Sequence, residues 1–226
     1  MKNVADPTSV LNAIRDTGLI SIIRGVHSAN ICDMVEKMGQ KGIRLVEVTL
    51  DTPDALQSIH KLSRAFSGEM IIGAGTVLDR ETARQAISAG ARFILSPTLD
   101  TSVIDYCGQN AVLSIPGVFS PSEIASAKKA GAVVVKVFPA SLLGVGYIER
   151  MLRLFENLEI LAVGGIDLGN VGDFIQSGAI GAGVGSQLAG KKIVDWLINH
   201  RLKREFRVVA AMKAHPGQTL WELTPH

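Results

Sequence analysis

Cysteine is nearly absent from this chain. Cys32 and Cys107 are the only two, far apart and without the spacing of a metal-ligand set. That excludes a disulfide-built scaffold and a cysteine-rich metal site. Two separated thiols suit a reducing cytosol, so a cytoplasmic location is expected. Aromatic residues are 5% of the chain, and a net charge of +2 comes with no basic block. Neither nucleic acid nor an anionic membrane is an expected partner on that pattern. No apolar run is long enough to span a bilayer, and Met1-Lys2-Asn3-Val4-Ala5-Asp6-Pro7 lacks the apolar core of a signal peptide. Linkers, low-complexity segments and shifts of composition are missing as well, so residues 1–226 read as a single domain.

What the chain has is a repeated unit: a short apolar stretch, a turn, then an amphipathic segment closed by glycine. A lead-in helix over 7–17 precedes it, with apolar Val10, Leu11 and Ile14. Strands are predicted at 19–24, 43–50, 70–76, 92–96, 112–116, from Val133 through the lysine-bearing run, at 158–163 and at 182–184. Helices are predicted over 28–38, after Thr52-Pro53 as N-cap and first helical residue, up to Ala89-Gly90, from Ser120-Pro121-Ser122-Glu123, and up to Ser177-Gly178. Eight strand–helix units with short connections define an α/β protein, a closed (β/α)8 barrel of the TIM type over about 19–188. The remainder, 189–226, reads as a long helix over 191–213 and a tail beyond Pro216 that carries Leu220 and Trp221.

Within the run Val133-Val134-Val135-Lys136-Val137-Phe138-Pro139-Ala140, one lysine sits among β-branched residues. A strand of that composition is buried on both faces. Burial disfavours the ammonium and frees an amine to attack carbonyls; a lysine that reaches water from the strand end fits the same letters. Glu47, inside Leu45-Val46-Glu47-Val48-Thr49, is costly to bury, and desolvation would raise its pKa toward the range of proton transfer. A salt bridge to a neighbouring strand, such as that of Lys136, is the alternative.

In a parallel barrel, function gathers at the carboxyl ends of the strands. Arg24, ending the first strand, has a fork suited to a carboxylate or phosphate, or stands at the rim in water. Gly73-Ala74-Gly75-Thr76 ends the third; its glycines would let a ligand near the backbone, and Thr76 could donate to an anion. Simple packing explains those glycines equally. Val163-Gly164-Gly165 and Gly183-Val184-Gly185-Ser186 follow the seventh and eighth strands, where barrels often hold phosphate through backbone N–H groups.

Glu47-Val48-Thr49-Leu50, Gly73-Ala74-Gly75-Thr76-Val77, Ser96-Pro97, Ile115-Pro116-Gly117, Lys136-Val137-Phe138-Pro139-Ala140, Val163-Gly164-Gly165-Ile166 and Gly185-Ser186 occur in this order over about residues 15 to 190. In these motifs the chain resembles the KDPG/KHG aldolases, including their phosphogalactonate branch. The resemblance implies a class I lyase that cleaves 2-keto-3-deoxy-6-phosphogluconate, or a close analogue, to pyruvate and glyceraldehyde 3-phosphate. Related possibilities are the phosphogalactonate isomer, or 4-hydroxy-2-oxoglutarate giving pyruvate and glyoxylate. A barrel that binds a phosphorylated metabolite without catalysis is the rival of another class.

By the resemblance, Lys136 forms the imine and Glu47 carries the protons. Thr76 and the backbone around Pro97 help hold the substrate carboxylate, Phe138 packs beside the imine, and Gly164, Gly165 and Ser186 take the phosphate. No metal or cofactor is implied, and a homotrimer is. Two positions depart from the gluconate branch. Asp51 stands where an arginine binds the substrate carboxylate, so Asp51 should turn outward and Arg24 becomes the candidate replacement. Val163 stands where a threonine is common, as in the phosphogalactonate branch.

Overall fold

The computed structural model describes residues 6–186 and residue 195. The predicted final helix and the tail after Pro216 lie, residue 195 apart, outside the described residues. Helix α1 (Pro7–Thr17) starts where Asp6 accepts from the Ser9 amide and proline occupies the first turn, and it stops at Gly18 in a left-handed conformation. Its apolar face packs with residues of the barrel interior and plugs one end of it: Val10, Leu11 and Ile14 join Ile20, Leu45, Phe93, Leu113, Val134 and Leu161 in one cluster.

Among the described residues nine strands follow, all parallel, in a nearly closed barrel: β1 (Leu19–Ile23), β2 (Leu45–Thr49), β3 (Ile71–Gly75), β4 (Phe93–Leu95), β5 (Leu113–Ile115), β6 (Gly117–Val118), β7 (Val134–Val137), β8 (Glu159–Val163) and β9 (Gly181–Gly185). The order around the sheet is β5-β4-β3-β2-β1-β9-β8-β7-β6. The predicted fifth strand is thus two strands. Pro116 has no N–H to give to a ladder and divides the stretch. Before it, β5 pairs with β4; after it, β6 pairs with β7, Gly117 opposite Lys136. The Pro116 carbonyl itself accepts from the Lys136 amide at 2.8 Å. Because β5 and β6 are one continuous piece of chain, the ring closes through Pro116 with eight strand positions, as the repeat predicts.

The connecting helices pack outside. A second, larger cluster of Ile23, Val35, Val46, Val48, Ile59, Leu62, Ile94, Val135, Val137 and Ile160 lies between them and the strands. Two helix starts differ from prediction. Helix α2 (Ile31–Gln40) begins three residues later than expected, after Asn30. Helix α3 (Ala55–Ala65) begins after Asp54, not at Thr52-Pro53. The reason lies in Thr52, which is buried with its hydroxyl engaged elsewhere. It accepts from the Gly25 amide at 2.9 Å and bonds to the Thr49 hydroxyl at 3.1 Å. It therefore ties the ends of β1 and β2 together and is not free to cap a helix.

The Ser120 capping box with Glu123 and Pro121 opens the helix after β6 as predicted. Val133, read as part of the lysine strand, lies outside it and is exposed. Both cysteines are unpaired, and burial pushes the Cys107 thiol up to about 12. Among the described residues, no helix is long and apolar enough to cross a membrane.

Candidate active site

Strand periodicity decides what enters the barrel. On β2, Val46 and Val48 face the helices while Leu45 lies in the interior, so Glu47, two residues on, projects inward above Leu45. On β7, Val135 and Val137 face out and Val134 faces in, which puts Lys136 in the interior at the same end. Both are dry: Glu47 is 2% exposed and Lys136 5%. Their strands are separated by β1, β9 and β8, so the two side chains face each other across the chamber. The alternative of a salt bridge between adjacent strands does not apply.

Desolvation dominates both groups. Burial pushes the Glu47 carboxyl up to about 7, against the opposing pull of Lys136 and of Arg24, with a smaller upward push from Asp51. Burial also lowers the Lys136 ammonium below its ordinary value; Glu47 opposes this and Arg24 reinforces it. Glu47 Oε2 is buried without a hydrogen-bond partner. The Lys136 nitrogen lies 4.5 Å from the centre of the Phe138 ring, a distance at which the ring face favours a cation, whether ammonium or iminium. An amine with a lowered pKa facing a carboxyl that titrates near neutrality can attack a carbonyl and exchange protons with the adduct.

Arg24 stands at the mouth. One of its terminal nitrogens donates to Thr76 Oγ1 at 3.2 Å, and its Nε lies 3.5 Å from Asp51 Oδ2. Their side chains are 63% and 46% exposed. Asp51 therefore turns outward from the chamber, as expected, and what it finds there is Arg24, a pairing that nothing in the local sequence signals. Thr76 has φ +58, the left-handed region that a β-branched residue rarely enters. Such strain concentrates at functional sites; here the conformation coincides with the threonine hydroxyl meeting the Arg24 fork.

The glycines of β3 make room for the protein's own side chains. A side-chain carbon on Gly73 would lie 2.3 Å from the Phe93 ring, and one on Gly75 would lie 1.5 Å from Glu47 Oε1. The space is filled by the protein itself.

Gly164 and Gly165, after β8, have φ +91 and +71, so their amides are carried by a turn that side-chain-bearing residues resist. The Gly164 carbonyl accepts from the Ser141 amide at 3.1 Å, and Ser141 Oγ lies 2.0 Å from where a Gly165 side chain would begin. Ser141 is thus a polar neighbour of this loop that the sequence motifs did not single out. Ser186 follows β9 at the same end, but its amide already donates to the Ile22 carbonyl at 2.7 Å. Its hydroxyl is what it has left to offer an anion. Pro97, after β4, presents its carbonyl to Gly117, where a side-chain carbon would lie 2.3 Å from that oxygen. Among the described residues, no three His, Cys, Asp or Glu side chains converge as metal ligands.

Fold and site together define a class: parallel α/β barrels with a desolvated amine and a carboxyl able to trade protons near neutral pH. The chain belongs to the KDPG and KHG aldolase family, whose model matches residues 10–203, a family of carbon–carbon lyases. It is similar to a probable 2-dehydro-3-deoxy-6-phosphogalactonate aldolase of Rhizobium meliloti (strain 1021), 34% identical over 171 residues, 75% of this chain and 81% of the relative. The 2-dehydro-3-deoxy-phosphogluconate aldolase of Haemophilus influenzae is 30% identical over 200 residues, 87% of this chain and 94% of the relative. Among solved structures, the KDPG aldolase from Legionella pneumophila, with pyruvate captured at low pH as a covalent carbinolamine intermediate, superposes with a TM-score of 0.74. It is 28% identical, and the match covers 86% of this chain and 92% of that one.

Proposed function

We propose that the protein cleaves a 2-keto-3-deoxy-6-phospho sugar acid, such as 2-keto-3-deoxy-6-phosphogluconate, to pyruvate and glyceraldehyde 3-phosphate through an imine on Lys136. The observation that carries this reading is the pair of dry, opposed groups, Lys136 and Glu47, in one chamber. The Lys136 amine adds to the keto carbon, and the carbinolamine loses water with a proton supplied by Glu47. The resulting iminium is the electron sink. Glu47, now ionised, takes the proton from the substrate's C4 hydroxyl; the C3–C4 bond breaks, the aldehyde leaves, and the electron pair of the broken bond stays on C3 and forms an enamine with the iminium. Glu47 returns the proton to C3; water then adds to the iminium, its spare proton goes back to Glu47, and pyruvate leaves as the amine is restored.

Arg24, Thr76 and the backbone around Pro97 would hold the carboxylate, and Phe138 would pack beside the iminium. Gly164 and Gly165 would offer amides, and Ser186 its hydroxyl, to the distal phosphate. The chemistry is covalent through lysine and calls for no metal or organic cofactor. The galactonate epimer is the second reading of substrate; it is favoured by Arg24 at the mouth with Asp51 beside it, by Val163, and by the Rhizobium relative. The two separated thiols suit the cytoplasm, and the family resemblance implies a homotrimer, which sedimentation of the purified chain would test.

The decisive measurement is borohydride reduction in the presence of pyruvate, followed by peptide mass mapping. The expected product is a pyruvyl adduct on Lys136 that Lys136→Ala abolishes. No adduct, or one that survives the substitution, would sink the mechanism and favour a barrel that only binds its ligand. Ser186→Ala should lower kcat/KM about tenfold on phosphorylated substrates and leave 4-hydroxy-2-oxoglutarate unaffected. Equal losses on both would remove the phosphate role.

A further inference from the structure

Glu47 has to be aimed by something. Its Oε2 has no hydrogen-bond partner, and its strand neighbours are apolar. The register of β2 against β3 supplies the answer. Glu47 pairs with Gly73 and Thr49 with Gly75. Side chains lean along the strand direction, so the carboxyl reaches one pleat onward and crosses the backbone of Gly75. A side-chain carbon built there would lie 1.5 Å from Glu47 Oε1, 2.3 Å from Cδ and 2.8 Å from Cγ; these three nearest atoms all belong to that one side chain. Nothing in the backbone asks for glycine at this position. Gly75 is outside the left-handed region, is buried, and gives its carbonyl to the Leu50 amide at 2.8 Å in ordinary sheet pairing.

We infer that Gly75 is a positioning residue for the proton carrier: its bare Cα forms the trough in which the Glu47 carboxyl lies, and any side chain there displaces it. This rests on the reading of Glu47 as the group that moves protons. Holding a carboxyl by exclusion has a chemical advantage over holding it by hydrogen bonds. Donors that fix a carboxylate also lower its basicity and occupy its lone pairs. A trough fixes the direction and leaves Oε2 free to accept and return a proton. Gly73 makes a similar space for the Phe93 ring one pleat below, so the two glycines of β3 together shape the floor and wall against which Glu47 stands.

The test is a cycle of Gly75→Ala, Glu47→Asp and the double variant, read by exchange of the pyruvate methyl protons with D2O. That exchange requires only the imine and the proton carrier, so it does not depend on the aldehyde partner. Gly75→Ala must push the carboxyl aside, and exchange should slow at least tenfold, since a misplacement of about 1 Å costs on the order of 100-fold. KM for pyruvate should stay within about twofold, because the alanine methyl lies on Glu47 and leaves the mouth untouched. Glu47→Asp shortens the side chain by one carbon and slows exchange on its own. Added to Gly75→Ala, it should slow exchange no further or restore part of the rate, because the shorter chain clears the methyl.

Losses that multiply independently would overturn the role of Gly75 alone. An unchanged rate for Glu47→Asp would overturn it together with the reading of Glu47. Stability gives a second readout free of activity: Gly75→Ala should lower Tm, and Glu47→Ala in that background should raise it again. If the single variant fails to fold and the double variant folds, the inference stands. If neither folds, other atoms claim the space and it falls.

Discussion

Replacing Glu47 by Gln should make the protein more stable above neutral pH while it loses its activity, and the gain should depend on pH in a defined way. The folded chain holds the Glu47 proton up to about pH 7, whereas the unfolded chain releases it near 4.5. Between those values the folded state carries the extra proton. The stabilisation from Glu47 is therefore complete below pH 4.5 and is lost as pH rises through about 7. Over that span the wild type loses on the order of 3 kcal/mol from this one group, at ~1.4 kcal/mol per pH unit. Glutamine, close in shape and neutral throughout, does not titrate.

Urea unfolding of both proteins from pH 4.5 to 8 isolates the difference, since the other carboxyl groups are common to both. At pH 4.5 the two should nearly coincide, and at pH 8 the variant should lead by up to about 3 kcal/mol, or roughly 6–12 °C in Tm for a chain of this size. The loss of exchange or cleavage activity should reach at least ~100-fold, the contribution of a positioned acid–base group. A stability difference that does not vary with pH would refute the argument, because it would mean that Glu47 titrates alike in the folded and unfolded chains.

Two further expectations concern the neighbours of this pair. Asp51→Asn removes a negative charge that pushes Glu47 upward, so the acidic limb of the rate profile should move to lower pH. Arg24, freed of its 3.5 Å partner, should also lower KM for pyruvate by up to about fivefold, the scale of an exposed ion pair. An unmoved limb would count against that coupling. Phe138→Leu removes the ring face 4.5 Å from the Lys136 nitrogen, which should lower the pKa of the amine further and slow imine-dependent exchange by ~3- to 30-fold. An unchanged rate would show that the ring serves packing only.

The barrel was legible because its strands and helices are written in local period. Each apolar stretch picked out in the sequence holds a strand, and the inward direction of Glu47 and Lys136 follows from counting residues by twos along β2 and β7. What local period does not carry is which strand lies beside which side chain. The glycines of β3 look like openings for a ligand when read alone. Only the neighbouring strands reveal the Phe93 ring and the Glu47 carboxyl that fill them. Thr52 has the letters of a helix cap and is spent instead on Gly25, 27 residues away in sequence, and on Thr49, 3 residues before it. The Arg24–Asp51 pairing is likewise a meeting of two loops. Pro116 signals an end of pairing, and the sequence offers no hint that the pairing resumes one residue later with a different partner.

That resumption ties the amine to the architecture. The last seam of the ring passes through Pro116, and the peptide of Lys136 is bonded to its carbonyl. Parting the staves there would release the main chain beneath the nucleophile in the same motion. A protein built this way has no half-open form that keeps its amine correctly pointed: in rising urea, capture of pyruvate should vanish together with the cooperative loss of structure, and deuteration of the Lys136 amide should be as slow as the global opening allows.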